Sequence, residues 1–354
     1  MQKLIFPIAR SLALVLLIYP MSCLAALPLL INGAGATFPY PLYAKWFSTY
    51  RQVDKTVEIN YQSIGSGGGI RQFLAGTIDF GATDAPMKDK YLKKVTTPIL
   101  HIPTTLGAVA LTYNIPGVKE PLKITPQVLA KIFLGEIKKW DHKEIRKLNP
   151  QVKLPPKQYI IVCYRSDGSG TTSVFTDYLA KISPEWKKKV GQGKSVKWPT
   201  GLGGKGNEGV TGLVKQNPGA IGYVEMTYAS TNQLPTFFLQ NKAGEFIQPS
   251  VKSVSQAAIG ALKTMPADFR VSITNASGKQ VYPISAFTYL LVHQRMEGLK
   301  GEKIVKFLHW AVGQGQAMAP TLNYAPLPKS LVKNISKQID SIVTTGTTAT
   351  GKVN

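Results

Sequence analysis

Tyr159-Ile160-Ile161-Val162-Cys163-Tyr164-Arg165-Ser166-Asp167-Gly168-Ser169-Gly170-Thr171-Thr172 runs from an apolar segment into a turn rich in glycine and hydroxyls. The apolar part reads as a buried strand. Ser173-Val174-Phe175-Thr176-Asp177-Tyr178-Leu179-Ala180, just after it, reads as a helix. An arginine and a glycine-rich turn thus sit where a strand becomes a helix. The first amides of a helix lack internal partners and carry partial positive charge. Glycine lets those amides approach a ligand closely, and Ser or Thr adds hydroxyl donors. The combination is a socket for a phosphate-like anion.

Two further segments share this design. Gly33-Ala34-Gly35-Ala36-Thr37-Phe38-Pro39 follows the apolar run 27–31 and opens a helical pattern over 40–50. Pro39 suits a first helical turn, and Thr37 is placed as a cap or as a ligand donor. Gly65-Ser66-Gly67-Gly68-Gly69 follows the alternating strand Val57-Glu58-Ile59-Asn60-Tyr61 and precedes a helix over 70–74. Any one of these turns is as readily an ordinary tight turn; three together favour a ligand site. No lysine follows the last glycine of Gly168-Ser169-Gly170-Thr171, so none is a nucleotide-hydrolysing loop.

A fourth element is Asp79-Phe80-Gly81-Ala82-Thr83-Asp84-Ala85-Pro86. A carboxylate only accepts hydrogen bonds. Beside an anion, Asp84 makes sense if the anion keeps a proton, which phosphate does near neutral pH and sulfate does not. The same placement also suits a plain turn cap before Pro86.

The N-terminus pairs Lys3 and Arg10 with the apolar block Leu12-Ala13-Leu14-Val15-Leu16-Leu17-Ile18-Tyr19, then small residues to Ala25 and Ala26. Residues 1–25 read as a secretory signal peptide, too short to span a bilayer. Cys23 raises a lipoprotein alternative, against which Pro20-Met21-Ser22 lacks the usual aliphatic residue; the mature protein is expected to be soluble. Cys163 is then alone, so no internal disulfide forms. The chain carries 42 Lys and Arg against 19 Asp and Glu, a net charge of +23. Small clusters such as Lys187-Lys188-Lys189 read as solvated faces, and the diffuse positive field attracts small anions rather than nucleic acid. The four histidines are scattered and form no metal-ligand or Ser/His/Asp pattern, so neither a metal site nor a catalytic residue is expected.

Strands and helices alternate along the mature sequence, which predicts an α/β fold. The run 99–102, between Pro98 and Pro103, reads as an edge strand or connector; 106–113 reads as a separate buried strand. The tail over 344–348 is expected to fray. Without a clear linker, two domains require the chain to pass between them more than once.

Taken in order, these motifs, with Leu134-Gly135-Glu136-Ile137-Lys138-Lys139-Trp140-Asp141, Gly201-Leu202-Gly203-Gly204-Lys205-Gly206-Asn207 and Pro218-Gly219-Ala220-Ile221-Gly222-Tyr223-Val224-Glu225, resemble the periplasmic phosphate-binding proteins of bacterial ABC-type transporters. The resemblance covers nearly all the mature chain and is weakest over 237–279. It implies a type II-like periplasmic binding fold, α/β, with two lobes, each a mainly parallel sheet flanked by helices, joined by crossing hinge strands. Lobe 1 would take 26–108 and 284–354, and lobe 2 would take 109–283. It implies a phosphate site made by Thr37, Phe38 (through its amide), Ser66, Asp84, Arg165, Ser169, Gly170 and Thr171, with Asp167 orienting Arg165. It implies capture of inorganic phosphate without catalysis or cofactor, in the periplasm, by a monomer. The partners would be an inner-membrane ABC permease and its ATPase.

Overall fold

The computed structural model describes residues 27–118 and 120–345. The signal-peptide reading over 1–25, including Cys23, and the tail 346–354 lie outside the described residues.

Eight strands form one mixed sheet: β1 (Leu29–Gly35), β2 (Val57–Ser63), β3 (Phe80–Thr83), β4 (Ile99–Asn114), β5 (Ile161–Arg165), β6 (Leu202–Gly204), β7 (Ala220–Glu225) and β8 (Ser285–His293). Their order is β2-β1-β3-β8-β4-β7-β5-β6. β1 pairs in parallel with β2 and β3, and β5 pairs in parallel with β6 and β7. The two parallel groups are joined by antiparallel strands. β8 pairs with β3 and β4, and β4 pairs with β7. The result is two α/β lobes built on one shared strand.

β4 changes partner along its length. Residues up to Ala108 face β8, and Val109 onward faces β7. It is therefore one continuous strand of 16 residues, not the separate segments 99–102 and 106–113 expected from the sequence. Pro103 is accommodated because the register against β8 shifts there: Pro103 faces Tyr289 and Thr105 faces Thr288. Thr104 is the extra residue of a bulge, the place where a ladder tolerates a missing amide. Its hydroxyl donates to the Thr288 carbonyl at 3.2 Å.

The glycine-rich turns open helices α1 (Tyr40–Val53), α2 (Ser66–Leu74), α3 (Gly170–Ile182) and α4 (Gly206–Gln216). α2 starts at Ser66, four residues earlier than the pattern suggested, so its glycines are helical. One of them serves packing: a Cβ on Gly69 would lie 2.4 Å from the Gly35 Cα, so only glycine lets α2 lie directly on β1. The α1 apolar stripe buries Leu42, Tyr43, Trp46, Phe47 and Tyr50. Trp46, Trp140 and Trp186 are fully buried and anchor the core on both sides of β4. Val343–Thr345 pairs in parallel with Arg295–Glu297, so Thr344 and Thr345 are held in a strand rather than frayed. Among the described residues, no helix is long and apolar enough to cross a membrane.

Candidate functional site

β5 ends at Arg165, and α3 begins five residues later. Ser169 caps α3, its hydroxyl accepting from the Thr172 amide at 2.9 Å. Gly170 and Thr171 occupy the first turn, where amides have no helical carbonyl to bond. The Arg165 side chain is fully buried. Its Nε and Nη2 fork onto Asp167 Oδ1 and Oδ2 at 2.8 and 2.6 Å, and Nη1 reaches Thr171 Oγ1 at 3.4 Å. Asp167 also accepts from the Gly206 amide at 3.0 Å. Burial raises the Asp167 carboxyl, but its bonds to Arg165 and the adjacent guanidinium charge outweigh that and hold it below its ordinary range. Arg165 is thus fixed by a two-pronged, charge-assisted pair.

The first lobe supplies the opposite wall. Asp84, just past β3, is 3% exposed. Its Oδ1 accepts from Thr288 Oγ1 at 3.0 Å, while Oδ2 is buried with no hydrogen-bond partner. Burial pushes its carboxyl up to about 7, against the Thr288 bond, the charges of Arg165 and Lys194 and, least, the Thr171 hydroxyl. The turn before Pro86 is bridged by Thr83, whose hydroxyl donates to the Ala85 carbonyl at 2.6 Å, leaving Asp84 free of that duty. Ser66, fully buried, accepts from the Asp84 amide at 3.4 Å. A Cβ on Gly170 would lie 2.3 Å from Ser66 Oγ and 2.4 Å from Asp84 Oδ2, so the lobes meet only because this residue has no side chain.

Thr37 and Phe38 precede α1. Thr37 makes no cap; its Oγ1 accepts instead from the Asn207 amide at 3.2 Å and from Asn207 Nδ2 at 2.7 Å. The Phe38 carbonyl accepts from Tyr324 Oη at 2.6 Å, and its ring packs edge-on against Tyr324. The nine residues singled out in the sequence thus form one cluster spanning both lobes, buried except for Asp167, which is half-buried.

Other members of the cluster went unassigned. Thr288 reaches Asp84 from β8, where nothing in a buried apolar strand marks it. Asn207 belongs to a quoted motif, but its bridging role depends on the other lobe. Lys194 donates from Nζ to the Ala85 carbonyl at 3.3 Å, and its own carbonyl accepts from the Ser169 amide at 2.8 Å. Burial pushes its ammonium down to about 8, although Asp84 attracts it. None of the four histidines takes part: His101 accepts from the Met87 amide at 3.0 Å, and burial holds it down at about 3.

Residues 25–314 match the family model described as a PBP superfamily domain. The phosphate-binding protein PstS of Pasteurella multocida is 49% identical over 310 residues, covering 87% of this chain and 89% of that protein. The chain belongs to the PstS phosphate-binding protein family. Two solved structures share the PstS two-lobe fold at low identity. One is a high-affinity periplasmic phosphate-binding protein bound with phosphate (TM-score 0.69, 21% identity, 87% of this chain and 93% of that one). The other is an ABC-type phosphate transport receptor from Vibrio cholerae (TM-score 0.56, 15% identity, 84% and 100%). In this PstS-family chain the glycine-rich turns and the buried arginine converge on one point between the lobes.

Proposed function

We propose that this protein captures inorganic phosphate between its lobes and delivers it to an ABC transporter for import. The observation that carries this reading is the unpartnered Asp84 Oδ2, buried opposite Arg165 and the first turn of α3. A site with a fixed guanidinium and helix amides suits an anion, and a lone acceptor within it suits an anion that retains a proton. Thr37, Phe38, Ser66, Arg165, Ser169, Gly170 and Thr171 are the proposed donors, with Asp84 the proposed acceptor and Asp167 holding Arg165.

The chemistry is binding, not turnover: a serine nucleophile needs a base within hydrogen-bond reach, and among the described residues the Ser169 hydroxyl meets the Thr172 amide and no base. Ligand bonds from both lobes favour the closed arrangement. The change of partner along β4 between Ala108 and Val109 supports lobe limits of 26–108 with 284–354, and 109–283. A monomer in the periplasm, docking on an inner-membrane permease with its ATPase, completes the proposal.

Calorimetric titration of ligand-stripped mature protein with phosphate, and separately with sulfate, tests it. Tight one-to-one phosphate binding without sulfate heat is expected. Binding of neither ion by folded protein overturns the reading.

A further inference from the structure

We infer that Asn207 is a positioning residue that turns the Thr37 hydroxyl into an obligate donor aimed at the bound anion. The inference rests on the phosphate-capture reading and assigns Asn207 a part in it.

A hydroxyl has one hydrogen and two acceptor lone pairs. Left alone, it rotates to suit its surroundings, and facing a carbonyl or carboxylate it gives its hydrogen away. Thr37 Oγ1 has no such freedom. It accepts from the Asn207 backbone amide at 3.2 Å and from Asn207 Nδ2 at 2.7 Å. Both lone pairs are filled, so its hydrogen must be donated elsewhere. Thr171 Oγ1 differs: it accepts from Arg165 Nη1 at 3.4 Å and from Asn207 Nδ2 at 3.3 Å, and its hydroxyl acts on the Asp84 carboxyl.

The amide of Asn207 cannot flip to undo this. Its Oδ1 accepts from the Glu225 backbone amide at 3.0 Å, which fixes Nδ2 toward the two threonines. Asn207 is fully buried, so water cannot substitute for it. Its backbone amide is free to act because it lies in the first turn of α4. The preceding amide, Gly206, donates to Asp167, which holds Arg165. One helix start therefore orients both a hydroxyl of the first lobe and the arginine of the second.

The arrangement also couples orientation to closure. Thr37 precedes α1 on the β1 side, and Asn207 lies on the β6 side, so their bonds exist only when the two walls meet. An open protein would leave Thr37 free to rotate. A closed one presents it already set, which lowers the ordering cost of binding.

The test is a double-mutant cycle read by calorimetric titration with inorganic phosphate, on the mature protein and on Thr37→Val, Asn207→Ala and the double variant. Each single change is expected to weaken binding by roughly tenfold, the scale of one or two neutral hydrogen bonds. The double variant is expected to bind within about threefold of Thr37→Val alone, because Asn207 acts mainly through that hydroxyl. Losses that multiply overturn the inference. Asn207→Asp supplies a second cycle if the alanine variant does not fold. It keeps the shape and the Glu225 bond but offers Thr37 an acceptor, and its penalty should shrink when Thr37 is already Val. A penalty unchanged by Thr37→Val overturns the inference. Failure of the unmodified protein to bind phosphate would instead sink the capture reading, before any variant is compared.

Discussion

The Gly67 amide donates to the Gly168 carbonyl at 2.7 Å, a backbone bond between the first turn of α2 and the turn before α3. The two glycines touch face to face: a Cβ on Gly67 would lie 3.0 Å from the Gly168 Cα, and one on Gly168 would lie 3.1 Å from the Gly67 Cα. The lobes close against bare backbone at this point.

Gly67→Ala should therefore separate closure from stability. Alanine is the better helix former at a helical position, so the lobe itself should lose nothing. The added methyl obstructs the lobe contact at a cost of about 1–3 kcal/mol, the range for overpacking. Phosphate affinity is expected to fall by roughly five- to 150-fold with an unchanged melting temperature in the absence of phosphate. Full affinity would show that the lobes bind phosphate without this contact.

Arg165→Ala should weaken phosphate binding by about 2–5 kcal/mol, the range for one partner of a buried, hydrogen-bonded charge pair. Arg165→Lys should recover little of it, because a lysine cannot reproduce the fork onto both Asp167 oxygens while reaching Thr171. Titration of both variants decides this. A lysine variant with near-normal affinity would mean that charge alone is needed.

Asp84→Asn should reduce discrimination against sulfate more than it reduces phosphate affinity, since an amide can donate to an oxyanion that carries no proton. Competition of sulfate against phosphate, measured in the variant and the unmodified protein, gives the ratio. Unaltered rejection of sulfate would remove the proton-reading role of Asp84.

The same carboxyl leaves a mark on stability. Burial lifts it from an ordinary 3.8 to about 7. Between those values the folded protein keeps a proton that the unfolded chain has lost, so stability falls as pH rises through the window and levels above it. His101 slopes the other way: burial holds it down at about 3 against an ordinary 6.5, so it favours the folded state as pH rises between them. His101 is common to both proteins, so subtracting the melting curve of Asp84→Asn isolates Asp84. With phosphate absent, the difference between the two proteins should change steadily from about pH 4 to 7; a flat difference refutes the shift.

Cys163 is fully buried, and burial pushes its thiol up to about 12. Alkylation of the native protein by iodoacetamide near neutral pH should leave Cys163 unmodified, with full labelling in denaturant. Mass analysis of the peptide containing it reads the result, and rapid native labelling would place this strand in a more open structure.

The sequence by itself determined the elements and the chemistry of the cluster. Apolar runs ending in glycine and hydroxyl turns specify strand-to-helix junctions because both the buried periodicity and the freedom of glycine are local properties. Arg165, Ser169 and Thr171 were legible for that reason, since they lie within one strand-to-helix junction, and the pairing of Arg165 with Asp167, which the family resemblance implied, is made inside that same segment. Tertiary structure alone decided what depends on contacts between distant segments. Pro103 looked like a break because a proline lacks an amide, and only the bulge opposite β8 lets β4 run through it. Thr288 meets Asp84, and Asn207 meets Thr37, across separations of 204 and 170 residues. No local pattern encodes such pairs. The direction of a hydroxyl hydrogen and the burial that lifts a carboxyl are set by what closes over them, which is known only once both lobes are in place.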